Sequence, residues 1–442
     1  MTAVEVAAAE LTARLGAECV ALDVAARTVA SNDYAWLSPI LSQDLPKRIT
    51  DIVVRPTSST DVPFVLATAF RHGLSVTPRG RGTGNYGQSV PMAEGIVLDM
   101  SGCTAIHSIA DGMAHVEAGV SFTQLEAVAS RLGFEVMVMP SMLSSTIGGF
   151  LAGGNQGIGS IEFGSIWDGW VVDLTVVPCT AAAEPFVATG EQLASYLHSY
   201  GTTGVITDVR LRLAPARQRT VLFASFDGPS GFGGPSGFGD SARAGRALMD
   251  LDPPPRVISV DDPAIVTALP SHAGVVVGTS MLRAVIDVVS VAAAIGIVEA
   301  HRGTATAVDP GAVSSIYASV YNHSTLRVKR VDPGTCSLQV RGWALIDREY
   351  EVRDVFADVR LHLDANAPKQ HGPGYSGLLL TTWVDRETLD AGMSRLRELG
   401  VQVISPHTWV LGGHGNVDRL RRVIPTTDPR GLMNPGKLPA ST

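Results

Sequence analysis

The chain has 442 residues, of which 45% are apolar and only 17% charged, and its formal net charge is −8 (34 basic against 42 acidic residues). That length exceeds the roughly 250–300 residues over which one hydrophobic core keeps growing, so two domains are expected. The apolar content excludes a disordered or coiled-coil chain, and the acidic balance argues against a nucleic-acid partner.

Residues 2–15, with Glu5 and Glu10 among alanines, read as a surface helix and not as a signal peptide. Regular structure begins with a strand over Asp51–Arg55, a helix over Ser59–His72 that Gly73 stops in the left-handed conformation, and a strand over Leu74–Pro78. Together these make a βαβ unit. Strands follow over Gly95–Met100, Ala105–Ala110 and His115–Gly119, then a helix over Phe122–Leu132 and a strand over Glu135–Met139. A strand over Gly169–Val177, a helix over Glu191–Ser199 and a strand over Val205–Ala214 complete an α+β block. The hexapeptide GPSGFG then occurs twice, over 228–233 and 234–239, which is the composition of an exposed loop.

The second block reads as a helix over Ser241–Leu251, a strand over Val275–Thr279 and a helix over Leu282–Ile295. Arg283 and Asp287 interrupt the apolar stretch from Gly274 to Ala300, so it is not a membrane span. A strand over Ser337–Trp343, a helix over Arg348–Leu361, a strand over Gly377–Val384, a helix over Arg386–Leu399 and a strand over Val401–Ser405 follow. This alternation suggests an α/β sandwich on an antiparallel sheet. A helix near Asn416–Ile424 and the tail DPRGLMNPGK, Asp428–Lys437, close the chain. The four cysteines, Cys19, Cys103, Cys179 and Cys336, form no CxxC pair and suit a reducing cytoplasm, where the chain is expected to reside.

The densest chemical signal is PRGRGTGNYGQ, Pro78–Gln88. Gly82-x-Gly84-x-x-Gly87 follows a strand, as in a dinucleotide fold, but the next strand begins about eight residues later and leaves no room for a crossover helix. The loop still suits a pyrophosphate. Bare glycines let backbone N–H groups approach phosphate oxygens, and Arg79 and Arg81 add positive charge. Three more segments share this texture. They are PSMLSSTIGG (Pro140–Gly149) running on to Asn155, YGTTGVIT (Tyr200–Thr207), and NPGK (Asn434–Lys437).

In this order and spacing, the four segments resemble the FAD-binding fold of the vanillyl-alcohol oxidase / p-cresol methylhydroxylase (PCMH-type) family. The resemblance implies an FAD domain over 1–214 completed by 425–442, and a substrate (cap) domain over 215–424. It implies that Arg79, Gly80, Arg81, Gly82, Thr83, Gly84, Asn85, Tyr86 and Gln88 wrap the pyrophosphate. Pro140, Ser141, Ser144, Ser145, Thr146, Gly148, Gly149 and Asn155 would line the flavin. Gly204, Val205 and Ile206 would meet the adenine and ribose, and Asn434 and Lys437 would lie near the isoalloxazine edge. Bicovalent relatives carry a His in the first loop and a Cys in the second. Thr83 and Ser144 stand there in this chain, so FAD is expected to bind without a covalent link.

Oxidising an alcohol needs a base for the hydroxyl proton beside the hydride acceptor, and His and Tyr have suitable acceptors. Tyr321, His323, His371 and His414 are the candidates, each equally readable as a structural residue. His414 matches the His of a GEHG stretch in some hydroxy-acid dehydrogenases of the family, with Gly413 in place of the Glu. Arg327 and Lys329 could hold a carboxylate, and Trp383, Trp409 and Asn416 could wall a pocket. No metal is assigned. The leading reading is a flavoenzyme that oxidises an alcohol or 2-hydroxy acid and passes electrons to oxygen or a carrier. A same-fold reductase or cyclase, a metal hydrolase using His371, His407 and His414, and a non-catalytic flavin binder are the alternatives. No membrane partner is expected, and a homodimer is open.

Overall fold

The computed structural model describes residues 1–227, 237–412 and 417–440. Its strands form three sheets. The first has four strands, in the spatial order Val20–Ala21, Ile52–Val54, Ile96–Asp99 and Val76–Arg79. Ile52–Val54 and Val76–Arg79 both pair in parallel with Ile96–Asp99, which lies between them. The helix Val62–His72 covers this sheet and ends at Gly73 with φ +68°. The connection from Val76–Arg79 to Ile96–Asp99 contains no helix, as the short spacing required.

The second sheet is built on the long strand Val205–Pro215, which pairs antiparallel with Met113–Glu117 on one side and Val171–Val177 on the other. The helix Ile147–Gly153 packs on that strand. Thr146 caps the helix by accepting from the Gly149 N–H at 3.2 Å. The N–H of Gly148 reaches the carbonyl of Ala118 at 2.8 Å. The small residues of the second motif are thereby pressed against the end of Met113–Glu117.

The third sheet has eight strands, all drawn from Arg219–Phe226 through Gln402–Ile404. It is apolar on both faces. Along Arg219–Phe226, Val221 and Phe223 enter the core shared with the second sheet, while Leu222, Ala224 and Phe226 enter a core beneath the helices Phe238–Leu248 and Arg386–Glu398. This double burial corrects one expectation. Leu282–Ile295 is not a helix but the fully buried strand Ser280–Asp287 followed by the helix Val291–Ala300, and Val275–Thr279 is not a strand. A strand covered on both sides loses its period-two pattern and reads as a continuous apolar run. Similarly, the span expected as one helix over Arg348–Leu361 holds the short helix Glu349–Arg353 and the start of the strand Arg360–Asn366.

The tail returns to the first sheet. Met433 bridges Val76, and the N–H of Asn434 donates to the Val76 carbonyl at 2.8 Å. Most of the tandem hexapeptide lies outside the described residues.

Candidate functional site

A cavity of about 720 Å³ runs between the glycine loops and the eight-stranded sheet. Every residue from Arg79 to Tyr86, and Gln88, lines it. So do Pro140, Ser141, Ser145, Thr146, Gly148, Gly149 and Asn155 from the second motif, and Gly204, Val205 and Ile206 from the third. Three sequence-distant segments therefore share one concave surface.

The glycines are required by close approach. A Cβ on Gly80 would run into the Thr146 hydroxyl, and one on Gly148 would lie 2.6 Å from Ala118 Cβ. Gly82 holds φ +62°, a conformation that side-chain-bearing residues rarely adopt. Thr83 Oγ1 and Ser145 Oγ meet at 2.7 Å and pin the first two loops together. Ser144, the position of the family's covalent cysteine, is exposed and does not line the cavity. All four cysteines are buried and none lines it.

Asn434 and Lys437 act differently from the expectation. Neither lines the cavity. Asn434 Nδ2 donates to the carbonyls of Gln88 (3.0 Å) and Tyr200 (2.6 Å), and Lys437 Nζ donates to those of Gly87 (2.6 Å) and Val90 (2.8 Å). The tail is thus a staple that fixes the glycine loop from behind. Burial pushes the Lys437 ammonium down to about 7, opposed by the nearby Asp33 carboxylate. Arg79 reaches back to the carbonyls of Ala30 and Asn32, while Arg81 is exposed along the cavity.

The donor set fits a dinucleotide such as FAD. Arg81 and bare backbone serve a pyrophosphate, and hydroxyls and glycines serve a flat ring. Ser89 Oγ and Asn155 Oδ1 are buried polar atoms without a protein partner, and both residues line the cavity. Groups of that kind are what a bound ligand satisfies.

Opposite the loops lie Tyr321, Asn322 and His323 at the start of the helix Asn322–Val331, and Gln339 and Arg341 on the strand Thr335–Arg341. The Tyr321 hydroxyl donates to the Gly157 carbonyl at 2.6 Å, and burial raises its pKa well above the usual phenol value. Tyr321 therefore stays protonated and is a clamp, not a base. His323 has the opposite character. Burial, and then the charges of Arg327 and Arg330, lower its pKa, and Nδ1 is buried without a partner. His323 lines the cavity, and its lowered pKa favours the neutral imidazole.

Sequence reasoning missed Arg341. Its guanidinium meets only neutral groups, Ser376 Oγ (3.0 and 3.2 Å) and Gln156 Oε1 (3.2 Å). Among the described residues no carboxylate forms an ion pair with it. Asp364 lines the same cavity but accepts from the Tyr321 N–H at 2.9 Å and bonds to His362 at 2.9 Å. The only sequence signal was a lone cation two positions from Gln339, on the same face of an alternating strand.

Other expected residues fall elsewhere. Arg327 donates to the Ala318 carbonyl (3.0 Å) and Lys329 to that of Pro333 (2.9 Å), and neither lines the cavity. Trp383 packs against the core under the eight-stranded sheet, and Trp409 lies against the back of the loop near Gly87. His371 is exposed and outside the cavity. His407 is tied to Ser38 Oγ (2.8 Å) and Cys336 Sγ (3.1 Å), so it does not join His371 in a metal site. His414 and Asn416 lie outside the described residues.

Comparison with known proteins agrees with this geometry. Residues 50–181 match the profile of the FAD binding domain family. A D-lactate dehydrogenase of Archaeoglobus fulgidus is 33% identical over 186 residues, covering 40% of this chain and 41% of that protein. The glycolate oxidase subunit GlcD of Bacillus subtilis is 26% identical over 237 residues (50% and 49%), and a mitochondrial D-2-hydroxyglutarate dehydrogenase of Rattus norvegicus is 28% identical over 195 (41% and 35%). Each match spans less than half of the relative's length. A solved alkyldihydroxyacetonephosphate synthase superposes over 98% of this chain and 85% of its own with a TM-score of 0.76 at 16% identity, a likeness of fold alone. Residues 50–181 therefore supply an FAD binding domain.

Proposed function

We propose that the protein is an FAD-dependent oxidoreductase that oxidises a small 2-hydroxy acid, or a closely related alcohol, and gives the electrons to oxygen or to a carrier. One observation carries this reading. The cavity that holds the glycine loops also presents a neutral, unpartnered imidazole (His323) and a guanidinium with no acidic partner (Arg341). The names of the three relatives above each contain a 2-hydroxy carboxylate, which supports the same class.

FAD, when bound, accepts a hydride from the substrate carbon. The chain's own residues do the rest. Arg341 pairs with the substrate carboxylate through Nη1, the guanidinium nitrogen that Ser376 and Gln156 leave open. The His323 imidazole accepts the proton of the substrate hydroxyl, and its lowered pKa keeps it unprotonated near neutrality. Tyr321 holds the Gly157 carbonyl and fixes the backbone from which His323 projects. The Tyr86 hydroxyl, which accepts from Gln339 Nε2 at 3.1 Å, offers a further polar contact on the loop side. The tail staple holds the glycine loop in place through Lys437.

The test is anaerobic mixing of the FAD-loaded protein with a panel of 2-hydroxy acids of both hands and with neutral alcohols of matching size. Reduction by one or more 2-hydroxy acids, and slower or no reduction by their neutral analogues, is expected. Reduction by neutral alcohols alone would overturn the carboxylate assignment. No reduction by any member, in a protein that retains FAD, would overturn the oxidoreductase reading.

A further inference from the structure

A second constellation lies outside the cavity, on a face of the second sheet. Its strands are Ile106–Ala110, Met113–Glu117 and Val205–Pro215, and each contributes one donor. His107 sits at the register shift between Ile106 and Ser108, where the ladder skips a residue. His115 lies opposite Ser108 on one side and Arg210 on the other. Asp208 lies opposite Glu117, diagonal to His115. The shift swings His107 over its neighbours, so its ring centroid is 4.5 Å from that of His115 with the planes inclined at 44°. His107 Nε2 is 3.0 Å from Asp208 Oδ1.

One ligand atom from each of the three residues lies within 4.8 Å of the others. Donors around a tetrahedral zinc ion stand about 3.4 Å apart, so modest side-chain rotation would close the set. Two imidazoles and one carboxylate are the donors that borderline cations favour, and they leave positions for water. The partial exposure of the three residues leaves such positions open.

The surrounding charges point the same way. Glu117 is consumed by the N–H groups of Ser59 (2.7 Å) and Ala105 (2.8 Å), and Asp173 by Arg210 (2.6 Å). Asp208 has neither an arginine nor a backbone donor. Its partners are His107 and, at 3.4 Å, the Ser59 hydroxyl. Asp208, held among the described residues by neither an arginine nor a backbone N–H, is the carboxylate beside which the two imidazoles stand.

We propose that His107, His115 and Asp208 form a site for a borderline divalent cation such as Zn(II), which clasps the hairpin Ile106–Glu117 to the strand Val205–Pro215. Ala118 follows the first element and Val205 and Ile206 open the second. All three line the FAD cavity, so the clasp would brace one of its walls. The site is independent of the oxidoreductase reading.

The test uses the FAD-loaded protein, stripped with a chelator and dialysed, and titrated with Zn(II) by calorimetry and by thermal melting. One equivalent should bind at micromolar Zn(II) and raise the melting temperature. His115→Ala and Asp208→Asn should each weaken that binding about 100-fold or more, loss of a ligand costing at least as much as loss of its orienting partner. His371→Ala, at an exposed histidine elsewhere, should leave it unchanged. No heat and no melting shift at 100-fold excess Zn(II), or equal binding by native protein and both variants, would overturn the site. A His107–Asp208 ion pair alone makes the contrary prediction, that Asp208→Asn lowers the melting temperature equally with and without Zn(II).

Discussion

Replacing Arg341 by methionine tests the proposed chemistry where it is most specific. The guanidinium bonds to Ser376 Oγ and Gln156 Oε1 through Nε and Nη2, which leaves Nη1 for a ligand. Burial lowers its pKa, so the cation sits where an incoming carboxylate would meet little competition from water. A hydrogen bond to a charged group contributes about 1.5–3 kcal/mol, which is what one such bond from Nη1 to the substrate gives. At about 1.4 kcal/mol per factor of ten, Arg341→Met should lower kcat/KM for a 2-hydroxy acid by roughly 10- to 100-fold. The assay is stopped-flow reduction under anaerobic conditions, run in parallel on the acid and on the neutral diol of the same carbon skeleton. FAD content should be unchanged, because Arg341 lies on the eight-stranded sheet and not on the glycine loops. Arg341→Lys should fall between, since an ammonium keeps the charge but not the fork. An equal loss for acid and diol would refute the carboxylate role and leave Arg341 a packing residue.

Three further outcomes are expected. His323→Gln should slow reduction by roughly 10²–10⁴-fold, and native kcat/KM should rise with pH through a value below 6.5 and then level off, because only the neutral imidazole accepts a proton. An acid limb that survives in the variant would remove His323 as the base. Gly148→Val should abolish FAD retention, since even a Cβ would meet Ala118 Cβ at 2.6 Å and Ala118 O at 3.1 Å, and overpacking of this kind costs about 1–3 kcal/mol or more. A yellow variant with full FAD content would contradict that placement. Stability should fall as pH rises toward 9, because of the buried His362. Burial alone would lower its pKa, but Asp364 and Asp261, at 2.9 and 2.6 Å, outweigh it and raise the pKa to about 9. Relative to an unfolded value near 6.5, that is worth roughly 3 kcal/mol, present in full below pH 6.5 and lost as pH climbs through 9. Urea unfolding at pH 6 and pH 9.5 reads it. Asp364→Asn should flatten the difference, and a native protein with equal stability at both would show that the imidazolium is not held.

The glycine loop on the cavity was legible in the sequence because its signal is local. Glycines at 80, 82, 84 and 87 with two arginines make one kind of surface whatever surrounds them, and the absent crossover helix could be read from spacing alone. The tail motif was legible in place but not in role. Asn434 and Lys437 look like ligand-facing polar residues until the fold shows them turned onto loop carbonyls. The strand Ser280–Asp287 was hidden by burial on both faces, which erases the alternation that marks a strand. The cap side of the site was the least legible. Arg327 and Lys329 attract notice as part of a charge cluster, yet both are spent on nearby carbonyls of the chain. Arg341 is isolated in the sequence. What distinguishes it is the absence of an acidic partner in three dimensions, which no local pattern encodes.

Whether the cavity holds FAD and delivers substrate electrons to it can be read from one spectrum, followed through one addition. The purified protein, supplemented with FAD and desalted, should absorb near 450 nm, lose that band on anaerobic addition of a 2-hydroxy acid, and release the colour into the supernatant on acid precipitation. A protein that emerges from desalting without the band would contradict the fit of the cavity to FAD. A band that no member of the 2-hydroxy-acid and alcohol panel bleaches would leave the FAD site standing and contradict the catalysis.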